Sequence, residues 1–200
     1  MYGRIFRPFS VGGFIILPED DPLPAGKGVP LIMGKKGAFG SGEHETTASC
    51  LEELERFPGI AGMRCLDLGS GTGILAIAAA RLGAAEVVAI DIAPAAAASC
   101  RANVALNGME GRVMTVCGEF ACLRGGEFDL IMANIYADIH LALAGDMVGR
   151  TRPGGFLLLS GIPVQDNYEV QLRFRREGCR LLDSRFMEEY VTFLFRKEGP

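Results

Sequence analysis

The sequence predicts an α/β fold on a mostly parallel, seven-stranded sheet with an antiparallel final strand, and three observations carry that expectation. From residue 63 onward, short apolar runs alternate with segments of helical spacing, the pattern of βαβ units whose helices cover both faces of a sheet. Twenty-seven glycines among 200 residues cluster at the strand-to-helix turns and follow no fixed period. The last two strand-like runs, Cys179–Met187 and Tyr190–Phe195, are separated only by Glu188-Glu189, too short for a helical crossover, so they must pair antiparallel.

Residues 1–36 are rich in Pro and Gly, and Gly13–Leu17 and Val29–Met33 read as strands of an antiparallel extension preceding the main domain at residues 37–200. From Glu43 to Phe57, Cys50, Leu51, Leu54 and Phe57 recur at helical spacing. Glu43 and Glu45 suit the positive end of that helix, and Pro58-Gly59 stops it. The main domain then reads strand Met63–Leu68, helix Gly73–Leu82, strand Glu86–Ile90 and helix Pro94–Leu106, with Pro94 at a first helical position and Asn107-Gly108 at the stop. Strands Arg112–Cys117 and Phe128–Ala133, helix Ala137–Arg150, strand Phe156–Leu159 and helix Val164–Glu177 complete the alternation before the final pair.

Twenty Lys and Arg against 24 Asp and Glu leave a net charge of −4, which disfavours a polyanionic partner neutralised phosphate by phosphate. No apolar run approaches the ~18 residues of a spanning helix, and the short run after Arg4 and Arg7 lacks a cleavage site. The six cysteines form no CxxC pair and sit mostly in apolar runs, so they read as reduced thiols of a cytoplasmic protein. No metal-ligand spacing is present. Oligomeric state is not encoded in any feature of the chain.

The chemistry concentrates at Cys65-Leu66-Asp67-Leu68-Gly69-Ser70-Gly71-Thr72-Gly73. Gly69, Gly71 and Gly73 stand between a buried strand and a helix start, where backbone can pass close to a ligand. A dinucleotide turn reads GxGxxG, and its third glycine would be Ile74 here, so NAD is disfavoured. Asp67 at the mouth of the strand suits a cationic amino group. Asp91 closes the next strand at the spacing from which a carboxylate accepts both hydroxyls of a ribose, and it also reads as a helix cap. A ribose, an ammonium and no required phosphate describe S-adenosyl-L-methionine, and the fold becomes a Rossmann-like, class I S-adenosylmethionine-dependent methyltransferase. Glu119, or a backbone amide beside it, would meet the adenine edge; Phe120 would lie against the ring or pack in the core. Asn134, at the end of the fourth strand, can accept an N–H from a nucleophile and aim its lone pair at the methyl group, or cap the following helix. Amino-methyltransferases of adenine carry two prolines and an aromatic residue after this position, and Ile135-Tyr136 replaces the prolines, which disfavours nucleic-acid bases.

Four blocks carry a resemblance: FRPFSVGGFIILPE at Phe6–Glu19; GAFGSGEHETTASCLEELE at Gly37–Glu55; LDLGSGTGILAIAAARLGA with AIDIAP; and ANIYADIH with RPGGFLLLSGI. The chain resembles the PrmA-like lysine methyltransferases of the large-subunit stalk-base ribosomal protein, L-eleven, and the loop before the first helix and the NIYA strand end are its most specific parts. The resemblance implies methyl transfer to lysine ε-amines, and to an α-amine, of a ribosomal protein. It implies that Phe39 and Thr46 meet the methionine half of the cofactor, that Gly69 and Gly71 line the backbone approach, and that Asp91 holds the ribose. Glu119 would stand at the adenine, Asn134 at the target amine, and Phe39 with Tyr136 would form an apolar channel around it. His44 and His140 fall in family blocks with roles left open. The family carries a separate N-terminal substrate-recognition domain, whereas residue 1 of this chain falls at the segment that would follow it. A stand-alone paralogue methylating another protein or a small amine, and a non-catalytic cofactor-binding partner, are therefore the alternatives.

Overall fold

The computed structural model describes residues 7–22, 28–34 and 42–199. The main sheet is built from β4 (Arg64–Leu68), β5 (Glu86–Asp91), β6 (Val113–Cys117), β7 (Phe128–Asn134), β8 (Thr151–Pro163), β9 (Cys179–Phe186) and β10 (Tyr190–Lys197), in the order β6-β5-β4-β7-β8-β10-β9. The first five strands pair in parallel. The last strand inserts between β8 and β9, antiparallel to both, with Tyr190 opposite Pro163 and Val191 opposite Phe186. The expected hairpin therefore forms, and its second strand is also the bridge to the parallel part of the sheet.

Helices α1 (Glu45–Arg56), α2 (Ile74–Arg81) and α3 (Pro94–Leu106) cover one face, and α4 (Ala137–Arg150) and α5 (Asn167–Arg176) the other. Because side chains alternate along a strand, each strand feeds two cores. Cys65, Leu130, Met132 and Leu158 join the first helices, while Leu66, Ile131, Ala133, Leu157 and Leu159 join α4 and α5. Strands buried on both faces read as continuous apolar runs, which is why the sequence located them. Its boundaries failed where that signal stops. The run Phe156–Leu159 is the buried centre of a 13-residue strand whose Arg152-Pro153-Gly154-Gly155 start is irregular, and the expected helix at Val164 begins as a 3₁₀ turn, Val164–Asp166, with α-helix only from Asn167.

The N-terminal segment differs from expectation. A short strand that the sequence did not reveal, β1 (Phe9–Val11), pairs antiparallel with β2 (Phe14–Pro18), whereas β3 (Val29–Met33) pairs with β2 in parallel. Phe14, Ile16, Leu31 and Met33 belong to the same buried cluster as α1 and α2. Two asparagines of α3 and its cap fasten the β3 edge: Asn107 accepts from Ile32 N at 3.0 Å and donates to Ile32 O at 2.7 Å, and Asn103 Oδ1 accepts from Gly34 N at 2.9 Å. These bonds satisfy a strand edge that would otherwise lack partners.

Candidate active site

Beyond the carboxyl ends of the parallel strands, the chain turns away from β4 toward β5 on one side and β7 on the other, which opens a crevice at this topological switch point. The glycine turn forms its floor. Gly69 and Ser70 both donate to Ile90 O, at 2.9 and 3.0 Å, tying the turn to β5. Gly69 has φ +72°, and a Cβ there would lie 2.4 Å from Ile135 Cγ2, so only glycine leaves the crevice open between β4 and β7. Gly73 serves a different purpose from the one expected. It caps α2 at φ +81°, and a Cβ on it would meet Cys100 Sγ at 2.5 Å, so it permits close packing of α3 and does not face the crevice.

Two connected chambers fill the crevice, sharing Gly69, Asp91, Ile92, Ile135 and Ile139. One, of about 300 Å³, is bordered by Asp91, Gly118, Glu119 and Phe120. The other, of about 340 Å³, is bordered by His44, Thr46, Asn134, Tyr136 and Tyr190. Asp91 stands where they join. Its Oδ2 accepts from Gly71 N and its Oδ1 from Ala93 N, both at 2.9 Å, so the carboxylate fixes the glycine turn and the approach to α3 together. Each oxygen keeps acceptor capacity toward the crevice. The helix-cap reading of Asp91 holds in this sense, although the N-cap residue itself is Ala93. Phe120 lines its chamber and belongs to the core beneath α4, so both readings of it apply.

Asp67 is placed against expectation. Strand alternation turns it with Cys65 toward α2, where it is 1% exposed and accepts from Ala76 N at 3.1 Å. It therefore does not line the crevice. Burial pushes its carboxyl up to about 7, with the nearby Asp91 charge adding to the rise and the Ala76 bond opposing it.

Asn134 ends β7 on the same parity as Met132, facing α1. Its Nδ2 donates to Thr47 Oγ1 at 3.3 Å, which assigns the amide nitrogen to the helix side and leaves Oδ1 for the chamber. Space for that oxygen depends on Gly161, where a Cβ would sit 3.0 Å from Oδ1 and 2.5 Å from Ile135 O. The sequence singled out Thr46 and passed over Thr47. Both are buried, Thr46 borders the chamber, and Thr47 makes the bond to Asn134. Neighbouring threonines on a helix point about 100° apart, so which one meets a strand end depends on how the helix is rotated.

Ser160, opposite Asn134 on β8, was also missed. Its carbonyl accepts from Ile135 N at 3.2 Å and from His140 Nε2 at 2.9 Å, and its hydroxyl shares a 2.7 Å bond with Thr192. His140 is wholly buried, and burial pushes its imidazole down to about 4, so it is a neutral donor that pins the turn after Asn134. His44 caps α1: its Nδ1 accepts from Thr46 N and lies 2.8 Å from Thr46 Oγ1, while the ring stands edge-on to Tyr190. Tyr136 departs from the expected channel wall. At 75% exposed, it stands at the mouth of the chamber, open to water. Phe39 lies outside the described residues.

Comparison with known proteins bears on this arrangement. Residues 2–198 match the family model described as Ribosomal protein L11 methyltransferase (PrmA). A protein of that name from Pelobacter propionicus is 38% identical over 198 residues, and another from Geobacter sp. is 42% identical over 199. Each alignment covers 96% of this chain, which spans 64% of the length of either relative. Among solved structures, a ribosomal protein L11 methylase from Lactobacillus delbrueckii subsp. bulgaricus superposes with a TM-score of 0.88 at 26% identity, covering 97% of this chain and 100% of that one. A T. thermophilus 16S rRNA methyltransferase solved with AdoMet and guanosine matches at a TM-score of 0.67 and 24% identity, over 82% of this chain and 46% of its own, which shows the shared class I fold. The chain belongs to the ribosomal protein L11 methyltransferase (PrmA) family.

Proposed function

We propose that this chain transfers methyl groups from S-adenosyl-L-methionine to protein amines, with lysines of a ribosomal protein as the acceptors, in the cytoplasm. The observation that carries the reading is that Asn134, its amide nitrogen held by Thr47, borders the same chamber as Asp91. An acceptor for an incoming N–H and an acceptor for ribose hydroxyls thus share one cavity of cofactor size.

The residues present fit that cofactor. Asp91 offers two oxygens to the ribose. Gly118 and Glu119, which border the first chamber, would meet the adenine; Ile92 and Ile135 would supply apolar walls, and Gly69 would give close backbone approach. The cofactor, when bound, would supply a sulfonium methyl group to which a neutral amine can bond directly, the C–S pair leaving on sulfur as S-adenosylhomocysteine. Asn134 Oδ1 accepts one N–H of that amine and so turns its lone pair along the line of attack, a positioning effect. The lysine must first lose a proton: its ordinary pKa of about 10.4 sets a cost of roughly 4 kcal/mol near neutral pH. His140 cannot take it, being sealed from the chamber; Tyr136 is open to water; and His44, which borders the chamber, commits its Nδ1 to the α1 cap. The proton would pass to solvent, and a cationic cofactor held in the same crevice would favour the neutral amine. With His44, His140 and Tyr136 so placed, methylation depends on orientation and on the acceptor's own pKa.

The test is intact-mass spectrometry of unmethylated stalk-base ribosomal protein incubated with this chain and the cofactor, beside Asn134→Ala. Mass steps of one or more methyl groups, lost in Asn134→Ala while calorimetric cofactor affinity stays within about threefold, support the reading. Cofactor binding without any mass change refutes the ribosomal acceptor and moves the assignment to another amine or to a binding role.

A further inference from the structure

At the end of the sheet remote from the crevice, Arg180 and Arg196 stand directly opposite each other in the antiparallel β9–β10 ladder. Like charges in a direct cross-strand pair oppose folding, so this juxtaposition calls for a compensating anion. The protein supplies little. Arg196 Nε donates to Gly154 O at 3.3 Å, and Lys197 Nζ donates to Val148 O and Thr151 O at 2.9 and 2.7 Å, all backbone carbonyls. The Arg180 side chain has no hydrogen bond or ion pair among the described residues. Arg152, in the same region, is by contrast satisfied by Asp129. Arg180, Arg196 and Lys197 border one pocket of about 230 Å³ in which Glu198 is the single acid among the described residues. Gly154, at φ +76°, forms one wall; a Cβ there would come within 3.5 Å of the Arg196 guanidinium.

We propose that this pocket is an oxyanion site for phosphate, separate from the crevice and independent of methyl transfer. Two guanidinium forks from one face of the ladder present N–H donors to a tetrahedral oxyanion with several acceptor oxygens, while the Lys197 ammonium, on the opposite face and held by Val148 O and Thr151 O, adds only its charge. The same chemistry is offered by free phosphate and by a phosphodiester of an RNA backbone. Either ligand would replace the missing counter-charge of the arginine pair, so binding and stability are coupled.

The experiment compares the parent chain with the double variant Arg180→Gln/Arg196→Gln by thermal unfolding in potassium phosphate and in potassium chloride of equal ionic strength. Phosphate strengthens folding of most proteins by exclusion, and the double variant reports that general effect. The parent is expected to gain about 4 °C more than the variant at a tenfold excess of phosphate over its Kd. In low-salt buffer without phosphate, the variant is expected to melt at or above the parent, because the opposed charges are gone. A short fluorescent single-stranded RNA then separates the two sources. Binding tighter than inorganic phosphate, with a salt slope of several phosphates and loss in the variant, assigns a phosphodiester backbone. Binding no tighter than inorganic phosphate assigns the free anion. Equal phosphate shifts in parent and variant, with equal RNA affinity, overturn the site.

Discussion

Asp91→Asn is the sharpest perturbation of the crevice, because it preserves shape and changes only acceptor capacity and charge. The carboxylate accepts from Gly71 N and Ala93 N through different oxygens. An amide has one oxygen, so its NH₂ must face one of those donors. The part-buried Gly71 N–H needs its partner more than the exposed Ala93 N–H, which water can satisfy, so the amide oxygen should turn to Gly71. Stability then falls by about 1 kcal/mol, or about 2–4 °C in Tm. The ribose fares worse, since one of its two hydroxyls loses a charged acceptor worth about 1.5–3 kcal/mol. Affinity for S-adenosylhomocysteine, measured by titration calorimetry, should weaken about 10- to 150-fold. Adenine alone, lacking the ribose, should bind the variant as it binds the parent. A folded variant whose S-adenosylhomocysteine affinity changes less than threefold, or whose adenine affinity falls in proportion, would refute the placement of the ribose on Asp91.

Further outcomes follow from the packing around the site. Thr47→Val frees the Asn134 amide and should lower the single-turnover transfer rate about three- to tenfold with cofactor Kd unchanged, while Thr47→Ser restores it; equal rates in all three chains would show that the bond orients nothing. Gly73→Ala forces a Cβ into the left-handed region and to within 2.5 Å of Cys100 Sγ, costing roughly 3 kcal/mol and about 10 °C in Tm; a loss under 2 °C would mean the turn relaxes freely. Two buried groups oppose each other in pH dependence. The imidazole of His140 is held below its ordinary value, so its contribution is full above about pH 6.5 and is lost, on the order of 3 kcal/mol, as pH falls to about 4. The carboxyl of Asp67 is held above its ordinary value, so its contribution is full below about pH 4 and is lost as pH rises through about 7. Urea unfolding of Asp67→Asn should accordingly show stability rising from pH 4.5 to 6.5, and that of His140→Gln should show it falling; parental profiles in both would contradict the burial of these groups.

Where the sequence succeeded, a local signal was sufficient. Apolar runs between glycine turns located all seven strands of the main sheet, and Pro94 and Asn107-Gly108 bracketed α3 as placed. Where it failed, the deciding contact lay far along the chain. Val29–Met33 carries nothing that distinguishes parallel from antiparallel pairing with β2, since that choice is fixed by Asn103 and Asn107, some 70 residues later, and by packing on α2. β8 outruns its apolar centre because Pro153, Gly154 and Gly155 are poor strand formers in isolation, and pairing of Thr151 and Phe156 with β7 spans the irregular stretch between them. Ser160, a single hydroxyl in an apolar run, gave no signal that its carbonyl would collect bonds from Ile135 and His140.

By itself, the sequence determined the parallel α/β frame, the glycine turn after β4, the carboxylate at the end of β5 and the amide at the end of β7. All of these follow from periodicity and spacing along a short stretch of chain, where the physics is that of the backbone alone. The tertiary structure decided which way those side chains point. It turned Asp67 inward under α2, gave the Asn134 bond to Thr47 and not Thr46, left Tyr136 in water, and set Arg180 against Arg196 at the far end of the sheet. Each of these outcomes depends on strand register or helix rotation, quantities fixed by the summed packing of residues distant in sequence, and no local pattern encodes them.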